Sequence, residues 1–156
     1  MKSLCAVCLT MWALASPTTA ETLGDILREA GWDKIVGTWL DAETGGDAVK
    51  TTYKWRIRDH VLEVTTHTAG TESVGMIARV GGSGEVVHAG ADNQGGTAVG
   101  KWSAEDGDAI LDLEYATAAG DEGEMRIRHH LKDVDTMVVT IETGEDPVVL
   151  TLRRAK

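Results

Sequence analysis

Between Ala98 and Leu152 apolar and polar residues alternate with period two through five successive runs, and tight-turn residues separate the runs. That rhythm belongs to an antiparallel sheet with one dry and one wet face, and it leaves few other folds open. The runs cover roughly residues 98–103, 109–116, 122–131, 136–143 and 148–153. Leu111, Leu113 and Tyr115 point one way while Asp112 and Glu114 point the other. Met125, Ile127, His129 and Leu131 likewise oppose Arg126, Arg128 and His130.

The turns set an expected register. Asp106-Gly107 is a two-residue hairpin turn, which places Trp102 opposite Leu111 and Lys101 opposite Asp112. A loop centred on Gly120 gives Tyr115–Met125, Leu113–Ile127 and Leu111–His129 inside, with Glu114 across from Arg126 and Asp112 beside Arg128 outside. The turn at Lys132–Asp135 pairs Leu131 with Met137, His129 with Val139 and Ile127 with Ile141, and sets Arg126 opposite Glu142. Gly144–Pro147 pairs Ile141 with Leu150 and Val139 with Leu152. A slip of one residue would turn a whole strand inside out, so agreement among four hairpins on one dry face is a strong constraint.

Residues 1–20 have the form of a secretory signal: Lys2, an apolar run from Leu4 to Leu14, and small residues before Glu21. The run is too short for a permanent membrane span. The signal would carry away Cys5 and Cys8, leaving a periplasmic or secreted chain without a disulfide, and neither cysteine sits where a lipid anchor is attached. Roughly 135 residues remain, residues 21–156, enough for one domain with one core. Loss of Lys2 takes the formal net charge from −10 to about −11, which argues against nucleic acid or an anionic membrane as partner. No membrane insertion is expected after signal removal.

Residues 22–30 read as a short helix, with Thr22 as cap, Leu23, Ile26, Leu27 and Ala30 on one face, and Gly31 at the stop. A first strand, 36–40, follows. Next comes a hairpin of 48–58 with 61–68, in which Tyr53, Trp55 and Ile57 share a face with Leu62, Val64 and Thr66, and Arg56 meets Glu63. Strands at 73–80 and 85–91 lie either side of the glycine loop 81–84. About ten short strands with simple up-and-down connections favour an all-β antiparallel barrel of eight to ten strands with a short N-terminal helix, because closure removes the exposed edges. An interior of that size either packs solid or holds one small ligand.

Gly37-Thr38-Trp39, just after a short helix and at the start of a meander, resembles the G-x-W signature of the lipocalin-like (calycin) barrels, and the pattern is most similar to small exported bacterial members of unknown function. The resemblance implies that the glycine bends the first strand at a closed end, that Trp39 plugs that end, and that an arginine late in the last strand stacks on its ring. Arg153 or Arg154 stands in the matching place, Arg153 being taken with Gly37 and Trp39 as the closure set. The chain departs from typical lipocalins in its strand number nearer ten and in lacking cysteines after the leader. The resemblance implies a fold and a cavity and no particular ligand or cofactor.

Alternation sends His129 inward and His130 outward, so the adjacent pair cannot grip one metal. His67 and His88 fall on the outer face, and no metal or catalytic set is singled out by spacing. Arg126 and Arg128 read as surface ion-pairing residues rather than an anion clamp. Ala78, Ala89, Ala98 and Gly100 make one interior wall small, facing Tyr53, Trp55, Trp102, Leu113 and Met125. That contrast means either interdigitation or a cavity. The cavity candidates are Tyr53, Trp55, Trp102, Tyr115, Met125 and His129, with His129, Tyr53 or Tyr115 orienting a small, largely apolar ligand. The alternatives are a filled barrel whose outer face meets an unknown protein partner and, further off, a haem carrier or enzyme, for which only His129 could serve.

Overall fold

The computed structural model describes residues 20–144 and 146–156. Apart from Ala20, the expected leader lies outside the described residues. Helix α1 (Leu23–Glu29) begins with a capping box, in which Thr22 Oγ1 accepts from the Asp25 amide at 3.1 Å and the Asp25 carboxylate accepts from the Thr22 amide at 2.9 Å. A 3-10 turn at Asp33–Ile35 leads into ten strands: β1 (Gly37–Asp41), β2 (Val49–Ile57), β3 (Val61–Thr68), β4 (Thr71–Arg79), β5 (Val86–Asp92), β6 (Thr97–Glu105), β7 (Asp108–Ala116), β8 (Glu122–Asp133), β9 (Thr136–Glu142) and β10 (Val148–Arg154). Each strand pairs antiparallel with its sequence neighbours, and β1 pairs with β10, so the sheet is a single closed barrel.

Antiparallel connections alternate between the two ends. The turns β2–β3, β4–β5, β6–β7 and β8–β9 share one end with α1, which lies across it. There the Gly24 amide donates to the Asp59 carbonyl at 2.9 Å and Trp32 Nε1 donates to the Gly107 carbonyl at 3.0 Å. A Cβ on Gly24 would sit 2.3 Å from Asp59 Oδ1, so the helix can approach this closely only without a side chain there. Trp39 is fully buried at the same end, with Nε1 donating to the Ile35 carbonyl at 2.8 Å. The guanidinium of Arg154 lies 4.3 Å from the centroid of its ring and donates to the carbonyls of Val36, at 2.9 Å, and Lys34. Arg154, rather than Arg153, is thus the stacked residue. The β1–β10 register sets Trp39 opposite Arg154, and alternation turns Arg153 outward, where it bonds the Thr136 hydroxyl. Gly37 has φ +136° and any Cβ there would meet Arg154, so its glycine character belongs to the same closure.

The hairpin at Asp106-Gly107 has the expected register, with Trp102 opposite Leu111 and Lys101 opposite Asp112. The β8–β9 pairs are also as expected. Two hairpins of the stretch from β6 to β10 are displaced by two residues. A compact turn, closed by Gly120 N to the Thr117 carbonyl at 2.9 Å, centres the β7–β8 connection one residue earlier than expected. Leu113 therefore faces Met125, Leu111 faces Ile127, Ala109 faces His129, and Glu114 meets Glu124 instead of Arg126. Along β9–β10, Ile141 pairs with Val148 and Val139 with Leu150. A shift of two preserves the face, so the inward set survives both corrections. In β2 the register with β3 breaks between Trp55 and Ile57, a bulge that leaves Ile57 exposed rather than inward; beyond it Lys54 stands opposite Glu63, two residues from the expected register, while Arg56 still reaches the Glu63 carboxylate at 4.0 Å. On the outer face Arg126 bonds Asp112 at 2.8 Å and also Glu105, while Arg128 bonds Asp108 at 3.0 Å and Glu105 at 3.1 Å.

Candidate ligand cavity

The inward residues leave a cavity of about 820 Å³ inside the barrel. Its mouth is at the end opposite α1, among the loops β3–β4, β5–β6 and β7–β8, where Thr68, Gln94, Thr117 and Asp121 line it. The β5–β6 loop is strapped to the start of β4: the Asn93 amide donates to the Glu72 carbonyl at 2.8 Å, and Gln94 Nε2 donates to Thr71 Oγ1 at 2.9 Å. Within that loop Asp92 Oδ1 accepts from the amides of Gln94 and Gly96, each at 2.8 Å, which fixes the carboxylate at the rim.

Tyr53, Trp102, Tyr115, Met125 and His129 all line this cavity. Trp55 points inward but packs against the core near Leu62, below the cavity lining, because its position on β2 is one step nearer the helix end than Tyr53. Trp102 forms part of the floor and also borders a smaller apolar space of about 150 Å³ beneath α1, so its indole separates the two.

The small wall differs from expectation. Ala98 and Gly100 face inward, but Ala78 and Ala89 lie on the outer face, since Ile77 pairs with His88 and both belong to the interior alternation. The inward small residues are Gly75 and Gly90. His88 is consequently interior, not outer, and lines the cavity. Its ring lies across Gly75, where a Cβ would come within 2.5 Å of Nε2, so the glycine is what lets the imidazole lie against the wall. Outward Val74, Met76 and Ala78 alternate with inward Gly75 and Ile77, so both faces of β4 are apolar and polarity alone could not orient it.

His129 is buried, 5 % exposed, with its ring centroid 5.0 Å from that of Trp102. Its Nδ1 lies 3.3 Å from the Ala109 carbonyl; a carbonyl only accepts, so the contact places the proton on Nδ1 and leaves Nε2 as acceptor. Burial pushes its pKa down to about 4, against the opposing backbone bonds at Ala109 and Ile127. Burial also lowers His88 and raises the Tyr53 phenol. The floor is therefore neutral, and the buried atoms His88 Nδ1 and Trp102 Nε1 have no hydrogen-bond partner among the described residues.

A row of polar residues crosses one wall that the sequence reading did not single out. Thr51, Thr66, Ser73 and Asp92 stand opposite one another on β2, β3, β4 and β5, and all four line the cavity. Thr66 was expected inside, but hydroxyl residues suit either face of a strand, so only the register shows the row. Among the described residues neither lysine nor arginine lines the cavity.

A closed ten-stranded antiparallel barrel with a short helix near its N-terminus is compatible with a calycin-like fold. Compared with known protein families and with curated proteins, the chain matches none.

Proposed function

We propose that the protein is a lipocalin-like binding protein that holds a small, largely apolar molecule inside its barrel, working in the periplasm or outside the cell. The observation that carries this reading is the cavity of about 820 Å³, open at one end and sealed by Trp39 and α1 at the other. Interdigitating side chains would leave few voids larger than a water molecule, whereas ligand sites typically span about 300–1,000 Å³. The candidate contacts are Tyr53, Trp102, Tyr115, Met125 and His129, with neutral His129 and the Tyr53 hydroxyl available to orient a polar atom of the guest. G-x-W at Gly37–Trp39 and the stacked Arg154 support the lipocalin-like assignment.

Mass spectrometry of the protein purified natively from its own host tests the proposal. A stoichiometric small molecule, released on denaturation, is the expected result. Repeated recovery of the bare chain, with no tryptophan response to apolar compounds, would instead favour a structural or protein-interaction barrel.

A further inference from the structure

The cavity has two chemically different walls. The β2–β5 side carries the polar row: Thr51 Oγ1 lies 3.2 Å from Thr66 Oγ1, Ser73 stands next across, and Asp92 ends the row at the rim. The facing side, from β7 to β10, offers Leu113, Met125, Ile127, Ile141 and Leu150. A plain hydrocarbon would desolvate the row without replacing its water, at a cost for each hydroxyl left unpaired. A carboxylate guest would meet no cation in the lining and would lie near Asp92 and Asp121.

Resting on the binding reading above, we propose that the ligand is an uncharged, rigid, lipid-like molecule with hydroxyl or carbonyl oxygens along one edge, seated with that edge on Thr51, Thr66 and Ser73. Adjacent strands are about 4.8 Å apart, so oxygens on alternate rings along one edge of a linear fused polycycle, the two outer rings of a three-ring system, match the pitch of the row. Hydroxyl donors of the ligand nearest the mouth reach the Asp92 carboxylate. Phenolic polycycles, terpenoid alcohols and neutral polyketides share this chemistry, whereas fatty acids do not.

Three matched probes test this by quenching of tryptophan fluorescence, since Trp102 forms part of the cavity wall. They are anthracene, the anthracene diol with both hydroxyls on one long edge, and anthracene carboxylate. The carboxylate should bind about ten-fold or more weakly than the diol. In the triple variant T51V/T66V/S73A, affinity for the diol should fall about ten-fold while affinity for anthracene holds or rises. Retained anthracene binding also reports that the variant is folded; if it is not, Ser73→Ala alone should lower diol affinity by roughly three-fold. Equal diol affinity in wild type and variants, or a carboxylate that binds as well as the diol, would overturn the ligand class and leave the binding reading intact. Failure of all three probes to bind the wild type would overturn both.

Discussion

The buried imidazole of His129 should make stability depend on pH in a way that one substitution removes. Burial lowers its pKa from 6.5 to about 4, so between those values the unfolded chain takes up a proton that the folded chain refuses. Stability contributed by the neutral ring is therefore complete above the unfolded value, is lost as pH falls from 6.5 toward 4, and levels off below. Integrated from pH 8 to pH 5, the linkage amounts to about 2 kcal/mol. His88 is pushed in the same direction and adds to the wild-type loss. Replacement of His129 by Leu keeps the side chain's volume roughly constant and removes this titration, while the loss of the Ala109 contact is the same at both pH values and drops out of the comparison. Urea unfolding of both proteins at the two pH values supplies the double difference, in which other titrating groups cancel. Wild type should lose about 2 kcal/mol more than His129→Leu over that interval. If both lose the same amount, His129 is not held neutral in the interior, and its place on the cavity floor is wrong.

Trp39→Ala removes a fully buried indole and should lower unfolding free energy by about 3–5 kcal/mol in denaturant titration; a variant as stable as wild type would refute the closure argument. Arg154→Ala, which abandons the ring and leaves the Val36 and Lys34 carbonyls to water, should cost about 1–3 kcal/mol by the same assay, and Arg153→Ala should cost less than half as much. A larger loss at Arg153 would mean that the seam is paired one residue out.

Where local chemistry and long-range packing agreed, the fold was readable from the residues. Thr22 and Gly31 mark the helix ends, and strict alternation from Trp102 to Leu152 fixes which side chains face inward, even where turn geometry shifts the pairing by two. Alternation fails where both faces have the same character. Strand β4 shows apolar residues on both sides, which is why His88 and the glycines beneath it could be placed only by pairing Ile77 with His88. The bulge before Ile57 leaves no mark in the hydrophobic pattern, since Ile57 continues the apolar alternation of Tyr53 and Trp55 and only the pairing with β3 breaks. The choice between Arg153 and Arg154 depended on a single step of register across the closing seam. As for the polar row, no segment contains it, since its members come from four strands.

That seam also sets the order in which the barrel can assemble. Every other ladder joins strands that are neighbours along the chain, so each can zip from its own turn with little loop entropy to overcome. The β1–β10 ladder joins Trp39 to Arg154 and has to close a loop holding nearly the entire domain. Until it forms, the meander is a curled ribbon with two unsatisfied edges, open to pairing with another chain in the same state. Arg154 reaches back to the carbonyls of Val36 and Lys34 only once the edges meet, so it acts as a latch on the last step. Weakening it should let the closed seam reopen more often and return the aggregation-prone ribbon to the population, while the nine other ladders keep the rest of the sheet paired.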